Sequence, residues 1–165
     1  MSGLDFVPVK SPEQIGRIAS LAEEIWSEHY ASILEEAQIR YMLDNFQSPG
    51  AIAAQIAEKG YRYYLLTQAG VPAGYVGMQP EEGKLFLSKL YLRREARGQG
   101  LSRRITAFLE GFAAAGGLSA VWLTVNRQNP SVEIYKKLGF AVIREQVADI
   151  GGGYVMDDYI MEKAL

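Results

Sequence analysis

LFLSKLYLRREARGQGLSRRI, residues Leu85–Ile105, changes its hydrophobic period in the middle. Its first part, Leu85–Leu92, is a dense apolar run of the kind found in a strand covered on both faces. Apolar residues then recur at three- and four-residue steps, as on an amphipathic helix, at Leu101, Ile105, Phe108 and Leu109. Between the two parts lies a basic segment with two glycines, Arg93–Gly100. The stretch therefore predicts a strand, a glycine-bearing turn and a helix N-terminus.

The predicted turn suits an anionic ligand. Free backbone N–H groups and the positive end of the helix dipole point at the residues before a helix. Arginine is the side chain best suited to phosphate oxygens. A Rossmann fingerprint would need glycine at Arg103, and a P-loop would need Gly-Lys-Ser/Thr where the chain has Gly100-Leu101-Ser102. We favour a small phosphorylated ligand; the alternative is a tight connection whose arginines are only solvated.

Composition narrows the classes of function. The 165 residues fit one domain, and a net charge of −2 argues against general nucleic-acid binding, although five arginines between Arg93 and Arg104 keep a nucleic-acid patch as a lesser alternative. The absence of cysteine excludes disulfides, thiolate metal sites and a cysteine nucleophile, and with a single histidine we expect no metal. The first residues, MSGLDFVPVK, lack an apolar signal region, and no run of about 18 apolar residues occurs, so we expect a cytoplasmic protein without a membrane partner.

The N-terminal part predicts an edge strand followed by a helix. Phe6–Val9 has strand character, and Pro8 favours an edge position. Ser11 is a predicted N-cap, with Pro12 at the first helical position and Gln14 completing a capping box. The helix should run to about Tyr30, and its expected buried stripe is Ile15, Ile18, Leu21, Ala22, Ile25 and Trp26.

The rest of the chain predicts a mixed sheet. A second helix is expected over Glu35–Asn45; it restarts at Ser48-Pro49 and ends near Lys59. Two strands, Tyr61–Gln68 and Ala73–Gln79, should precede the central strand and its helix. A strand Ala120–Val125, a helix capped by Asn129 and begun by Pro130, and a hairpin of Phe140–Ile150 and Tyr154–Lys163 should follow. Short connections predict an antiparallel meander, and the helical crossover predicts one parallel pair. The order β-α-α-β-β-β-α-β-α-β-β is an α+β fold with a mostly antiparallel central sheet and helices on both faces, in a single domain 1–165.

Two motifs together resemble a known family. Arg97-Gly98-Gln99-Gly100-Leu101-Ser102 is similar to motif A of the GNAT superfamily of acyl-CoA-dependent N-acyltransferases, and Asn129 with Tyr135-Lys136-Lys137-Leu138-Gly139-Phe140 is similar to its motif B. The resemblance covers essentially the whole chain. It departs at Ser102, which replaces a small final Gly/Ala, at Val132, where alanine is frequent, and at Ser88, where many members carry glutamate. The last residues, Asp157–Leu165, are similar to the ends of bacterial spermidine/spermine acetyltransferases.

The resemblance implies how acetyl-CoA is bound. Backbone amides from Arg97 through Arg103, including Gly98, Gln99, Gly100, Leu101 and Ser102, are expected to hold the diphosphate. The central strand is expected to bind the pantetheine arm through Leu90, Tyr91 and Leu92, where a bulge separates it from the next parallel strand. The Leu90 amide would stabilise the oxyanion. Asn129 would bind the pantetheine arm, and Tyr135 would protonate the departing thiolate, since a phenol is protonated at neutral pH.

The general base and the acceptor are less well defined. Because Ser88 carries no carboxylate, the candidate bases are Glu81, Glu82 and His29, or a water chain, with His29 more often a packing residue. The family's acceptor regions correspond to Trp26–Phe46 and Ala148–Tyr159, which are rich in aromatic and acidic residues. The acidic and aromatic members are Trp26, Glu28, His29, Tyr30, Glu35, Glu36, Tyr41, Asp149, Tyr154, Asp157, Asp158 and Tyr159.

Three functions remain open from the sequence. The first is transfer of acetyl from acetyl-CoA to a small primary amine or polyamine, by direct attack in a ternary complex. The second is acetylation of a protein N-terminus or lysine. The third is a non-catalytic acyl-CoA-binding module. The family also implies that a homodimer is a common assembly.

Overall fold

Seven strands and five α-helices make up the computed structural model, which describes residues 3–165. They are β1 (Leu4–Pro8), α1 (Pro12–His29), α2 (Glu36–Phe46), α3 (Pro49–Glu58), β2 (Arg62–Gln68), β3 (Val71–Glu81), β4 (Lys84–Leu92), a short 3₁₀ turn (Arg94–Ala96), α4 (Leu101–Ala115), β5 (Ala120–Asn126), α5 (Ser131–Lys137), β6 (Ala141–Gly151) and β7 (Tyr154–Ala164). The strands are ordered β1-β2-β3-β4-β5-β7-β6, and β4 and β5 are parallel. The predicted α+β class with a mostly antiparallel sheet is therefore confirmed.

The predicted element order is wrong at one point. It places two helices between the first two strands, whereas the structure has three. Ser48 explains the difference, because its side chain accepts a hydrogen bond from the Ala51 amide at 3.2 Å and Pro49 occupies the first turn. The Ser-Pro pair thus starts an independent helix.

The chain divides into two compact units. Residues 3–79 with Lys89–Leu101 form the first unit, and Pro80–Ser88 with Ser102–Leu165 form the second. Strand β4 contributes to both, since it crosses the division between Ser88 and Lys89. The single domain expected from the sequence stays a prediction.

Helix α1 anchors the first unit. Ser11 and Gln14 form the predicted capping box, with Ser11 Oγ accepting from the Gln14 amide at 3.2 Å. The buried face comprises Ile18, Leu21, Ala22, Ile25 and Trp26, as expected. Ile15 is the exception and is only partly buried. The helix packs against both α2 and α3.

A buried polar chain links α1 to the sheet of the first unit. Trp26 Nε1 donates to Tyr75 Oη at 2.9 Å, and Tyr75 Oη donates to Gln47 Oε1 at 2.7 Å. Gln47 Nε2 donates to Tyr63 Oη at 3.1 Å, and that phenol donates to Gln55. Because each of these buried polar groups has a hydrogen-bond partner, the network fixes the positions of the aromatic rings and does not weaken the core.

The second unit is built on β5 and β7. β7 pairs antiparallel with both β5 and β6, and Leu85–Leu87 of β4 pair in parallel with Val121–Leu123. α4 buries Leu101, Ile105, Leu109 and Ala113, which are spaced at four residues. Its Glu110 forms an ion pair with Lys163 of β7 at 3.0 Å, so α4 lies on the Lys163 face of β7. Within residues 3–165 no helix is long and apolar enough to cross a membrane.

Candidate active site

The glycine turn before α4 has the form that the sequence predicts. Gly98 and Gly100 have φ of 75° and 74°, a left-handed conformation that only glycine adopts without strain. Gly98, Gln99 and Gly100 are all exposed, and an added Cβ on either glycine would meet no protein atom within 4 Å. α4 begins immediately afterwards at Leu101, so its first amides lack intrahelical partners. The turn can therefore present several N–H groups to an anion.

The guanidinium of Arg97 is engaged within the first unit. Its Nη2 donates to Glu28 Oε1 at 2.8 Å, its Nη1 donates to Glu28 Oε2 at 3.2 Å, and its Nε donates to the Leu92 carbonyl at 3.1 Å. Hydrogen bonding from Arg97 lowers the pKa of Glu28 below 4.5. The interpretation that this side chain meets a phosphate is thus not supported, and the Arg97 backbone amide already donates to the Arg94 carbonyl at 3.2 Å.

The other arginines of the stretch divide into two groups. Arg93 pairs with Glu24 at 2.8 Å, and Arg94 pairs with Glu28 at 3.3 Å. Arg103 on the first turn of α4 is exposed and makes no ion pair with any residue of 3–165. Arg103 is therefore the better candidate for a phosphate contact through its side chain.

Successive residues at the end of β4 point their backbone N–H and C=O groups to opposite sides of the strand. The Arg93 amide donates to the Ala73 carbonyl of β3 at 2.8 Å, and the Leu92 carbonyl accepts from Arg97 instead. Since N–H and C=O of one residue in an antiparallel strand point to the same side and alternate along it, the backbone groups of Leu90 and Leu92 face away from β3. This is the orientation that a strand-like pantetheine arm would require.

A one-residue irregularity accompanies this orientation. The β3–β4 turn consists of two residues, Glu82 and Gly83, both with positive φ, which pairs Glu81 with Lys84. Continued without interruption, that register would place Leu92 opposite Ala73, but the Arg93 amide makes the hydrogen bond. The offset indicates one extra residue in β4, which is a β-bulge.

Asn129 and Tyr135 both belong to the second unit. α5 spans Ser131–Lys137, and Pro130 directly before it already has helical φ and ψ of −57° and −21°. Asn129 Oδ1 accepts from the Ser131 amide at 2.8 Å, so the predicted capping role of Asn129 is confirmed. Tyr135 is half-buried and packs edge-to-face on Phe140, with centroids 5.6 Å apart.

The candidate bases have unequal positions. Glu81 and Glu82 are exposed at the β3–β4 turn in the second unit, whereas Leu90 belongs to the first unit. His29 packs edge-to-face against Tyr30 and Tyr91, and burial lowers its pKa below 6.5. An imidazole that is neutral at pH 7 can accept a proton, so His29 stays a candidate base beside the two glutamates.

A family model described as an acetyltransferase (GNAT) domain matches residues 17–156. This chain belongs to the GNAT acetyltransferase family. It is therefore an acyltransferase that uses acetyl-CoA, as the two motifs indicate.

Individual GNAT relatives agree with this assignment over the full chain. An uncharacterized N-acetyltransferase in the pepI 3′ region of Lactobacillus delbrueckii subsp. lactis is 22% identical, covering 100% of this chain and 99% of that protein. The PaiA N-acetyltransferase from Thermoplasma acidophilum in complex with coenzyme A has a TM-score of 0.82 at 23% identity, covering 99% of both chains. A chimera of Vibrio cholerae spermidine N-acetyltransferase SpeG and hSSAT has a TM-score of 0.70 at 16% identity, covering 98% of this chain and 95% of that one.

The expected GNAT acceptor residues are in several cases already engaged. Trp26 and Tyr30 are buried at 2% and 5% exposure, and the Tyr30 and Tyr91 hydroxyls are 2.7 Å apart, so these rings form a core cluster of the first unit. Glu28 pairs with Arg97, as described above. The interpretation of Trp26, Glu28 and Tyr30 as an open wall for the acceptor is therefore wrong, because these side chains make their contacts within the protein.

Lys89 is a functional candidate that sequence reasoning missed. It interrupts the apolar run of β4 directly before Leu90, and its Cβ is 3.3 Å from the position of a Cβ added to Gly77. Burial lowers its pKa to about 8. The signal in the sequence was a single lysine inside LFLSKLYL, which a strand covered on both faces must bury at least in part.

A shallow groove of about 400 Å³ is also present in the first unit. It lies between α1 and the start of β3 and is bordered by Arg17, Glu24, Pro72 and Arg93. No residue of the expected GNAT site borders it, so we assign it no role.

Proposed function

We propose that this GNAT enzyme transfers acetyl from acetyl-CoA to a primary amine of a small amine or polyamine by direct attack in a ternary complex. The orientation of β4 is the observation that carries the proposal. The backbone groups of Leu90 and Leu92 face away from β3, while Arg93 completes the β3 hydrogen bonds. A strand end whose backbone groups point away from its neighbour can bind an extended amide-containing arm as if it were another strand, here through Leu90 and the Leu92 amide, because the Leu92 carbonyl accepts from Arg97.

The diphosphate of the donor is proposed to bind at the glycine turn. The amides of the exposed residues Gly98, Gln99 and Gly100, followed by those of Leu101, Ser102 and Arg103, precede and begin α4, where the helix dipole is positive. Arg103 adds a charge that no protein carboxylate of residues 3–165 neutralises. Asn129 is proposed to contact the pantetheine arm through Nδ2, since its Oδ1 accepts from Ser131.

Two groups are proposed to act in the chemical step. The Leu90 amide stabilises the oxygen of the tetrahedral intermediate, because it is not used by β3. Tyr135 donates its phenolic proton to the departing thiolate, while the acceptor nitrogen forms the new bond to the acetyl carbon. The acceptor must lose one proton to attack, and His29 or a water chain is the candidate for accepting it.

Thiol release from acetyl-CoA tests the proposal directly. The wild-type enzyme should release CoA with small amines or polyamines and show little release with peptides. Tyr135→Phe should keep acetyl-CoA affinity and lower kcat by roughly 10²- to 10⁴-fold. The matched control is Tyr64→Phe, which removes a phenol from β2 outside both motifs and both expected acceptor regions.

Other outcomes identify the competing functions. Release with peptides alone would establish a peptide acetyltransferase. Acetyl-CoA binding without release on any acceptor would leave a binding module. Full activity of Tyr135→Phe would reject the assignment of the acid.

A further inference from the structure

Asp158 on β7 is a buried carboxylate that lacks a partner for one of its oxygens. The residue is 7% exposed, and its Oδ1 accepts no hydrogen bond from any group in residues 3–165. Other acidic residues of the β6–β7 hairpin are engaged: Asp157 pairs with Arg127 at 2.6 Å, Glu145 pairs with the same arginine, and Asp149 caps its own turn. Because an unpartnered buried carboxylate is destabilising, its presence suggests that a ligand supplies the missing donor.

The register of β5 and β7 brings the Asp158 side chain close to that of Asn126. The two residues are direct partners, and the Arg127 amide donates to the Asp157 carbonyl at 3.2 Å. Asn126 and Asp158 therefore form the neighbouring non-hydrogen-bonded pair, in which Cα atoms are about 4.5 Å apart and side chains are closest. Asn126 is buried as well, and its Oδ1 already accepts from the Gln128 amide at 2.9 Å.

Asp158 lies on the face of this unit's sheet that α4 does not cover. Lys163 points toward Glu110 of α4, and residues an odd number of positions away along β7 point to the other face. Asp158 shares that other face with Ile160 and with Glu162, which pairs with Lys84 at 2.8 Å. The carboxylate is thus separated by the sheet from the helix whose N-terminus is proposed to hold the donor phosphates.

We propose that Asp158 binds a cationic nitrogen of the acceptor other than the nitrogen that is acetylated, so that the preferred acceptor carries at least two amino groups. An ammonium group supplies both the missing N–H donor and the compensating charge. The inference rests on the proposed amine acetylation and specifies its substrate class. The nearest charged and titratable groups on the adjoining strands are Asp157, Tyr159, Arg127 and Glu145; the β6 partner of Asp158, Gln146, is neutral.

The distinction between the two nitrogens follows from charge. Burial, followed by the charge of Asp157, raises the pKa of Asp158 to about 6, so the carboxylate is ionised at pH 7. A nitrogen compensates that buried charge only while it keeps its own proton. A protonated nitrogen has no lone pair with which to attack a thioester. The attacking nitrogen is therefore a different one.

Paired acceptors with and without the second charge test the inference. The small-molecule arm compares 1,5-diaminopentane with pentylamine, and the peptide arm compares alanyl-lysine amide with alanyl-norleucine amide. The wild-type kcat/KM should favour the dication by roughly 10- to 100-fold. Asp158→Asn should lose that preference through a higher KM for the diamine, with the KM of pentylamine and the affinity for acetyl-CoA unchanged. Asp157→Asn, which removes the adjacent and exposed carboxylate, should keep the preference.

The outcomes separate this inference from the proposed function. Equal kcat/KM for 1,5-diaminopentane and pentylamine in the wild type, or a preference that survives Asp158→Asn, overturns the inference and leaves amine acetylation intact. A preference for the dication that occurs only in the peptide arm would mean that Asp158 binds the ammonium group of a peptide side chain. If no acceptor releases CoA, the proposed function fails, and thermal shifts with the same two amines decide the inference. Stabilisation by the diamine that Asp158→Asn abolishes would support it, and no shift in the wild type would reject it.

Discussion

Glu28 and Arg97 form a two-pronged ion pair that joins the last turn of α1 to the glycine turn. The two contacts measure 2.8 and 3.2 Å, and both side chains are about one-third exposed. The third donor of the same guanidinium binds the Leu92 carbonyl at the end of β4. One arginine thus connects a helix, a strand end and the start of the proposed phosphate-binding turn, and its geometry cannot be reproduced by lysine.

Arg97→Lys should therefore loosen the turn more than it destabilises the fold. We expect the free energy of unfolding to fall by about 1 kcal/mol, because the pair is partly screened by solvent. The affinity for CoA should fall by about three- to tenfold, measured by calorimetric titration. Arg94→Lys, whose guanidinium is 75% exposed and makes one 3.3 Å contact with Glu28, should change neither value appreciably.

The contribution of the Glu28–Arg97 pair should depend on pH. The pKa of Glu28 is below its ordinary 4.5 in the folded state, so the folded protein binds fewer protons there than the unfolded chain. The stabilisation is fully present above pH 4.5 and disappears as pH falls through the lowered pKa. Urea unfolding of wild type and Arg97→Lys should converge in that acidic range, whereas an unchanged difference would contradict the assignment.

Gly100→Ala should weaken CoA binding because it strains the turn that is proposed to hold the diphosphate. An alanine at φ of 74° is destabilised by roughly 1–2 kcal/mol, and its methyl group stands on the exposed side of the turn. We expect Kd for CoA to rise by about tenfold, which is 1.4 kcal/mol. Gly111→Ala is the matched control within α4, where an added Cβ meets nothing within 4 Å and should stabilise the helix by about 0.5–1 kcal/mol.

Gly74→Ala should displace the end of β4. Its added Cβ would lie 2.1 Å from the Tyr91 carbonyl oxygen and 2.9 Å from the Leu92 Cα, and backbone atoms cannot turn away as a side chain can. We expect a loss of about 1–3 kcal/mol in unfolding free energy together with a higher KM for acetyl-CoA. Gly16→Ala in α1 has open space around its Cβ and should raise the melting temperature. Normal acetyl-CoA kinetics in Gly74→Ala would show that this strand end does not bind the donor.

The free energy of unfolding should increase as pH rises from about 8 to about 10.5, because of the lowered pKa of Lys89. Its pKa is lowered from 10.5 to about 8 by burial, so in this window the unfolded chain binds a proton that the folded protein does not. Lys89→Met should remove this slope, while Lys59→Met, at an exposed position after α3, should retain it. Denaturant titrations at pH 7.5, 9 and 10 are the measurement, and identical slopes in wild type and Lys89→Met would contradict the burial of the amine.

Local chemistry explains what the sequence could predict. Ser11, Pro12 and Gln14 specify a helix start by contacts within four residues, and the positive φ of Gly98 and Gly100 follows from the need to turn a strand into a helix. The parallel neighbour of β4 follows from a connection that contains a helix. Such features need no knowledge of distant residues, which is why the α+β class and the location of the turn were predictable.

Contacts between distant residues explain what the sequence missed. Arg97 and Glu28 are 69 positions apart, and nothing near either of them indicates the pairing. Asp157 and Asp158 are indistinguishable in the sequence, yet one is paired with Arg127 and the other is buried without a donor. Trp26 and Tyr30 were equally suited to a ligand wall or a core, and only the packing of Tyr75 and Tyr91 against the cluster decides between the two.

The division of the chain into two units gives each unit its own fluorescent reporter. The protein contains two tryptophans. Trp26 belongs to the first unit and lies against Tyr30 and Tyr91, whereas Trp122 belongs to the second and stacks on Phe86 with centroids 4.2 Å apart. Trp26→Phe and Trp122→Phe therefore leave single-tryptophan proteins whose emission spectra follow one unit each. Coincident emission transitions in denaturant would establish one cooperative domain, and separated transitions would show two units that melt independently.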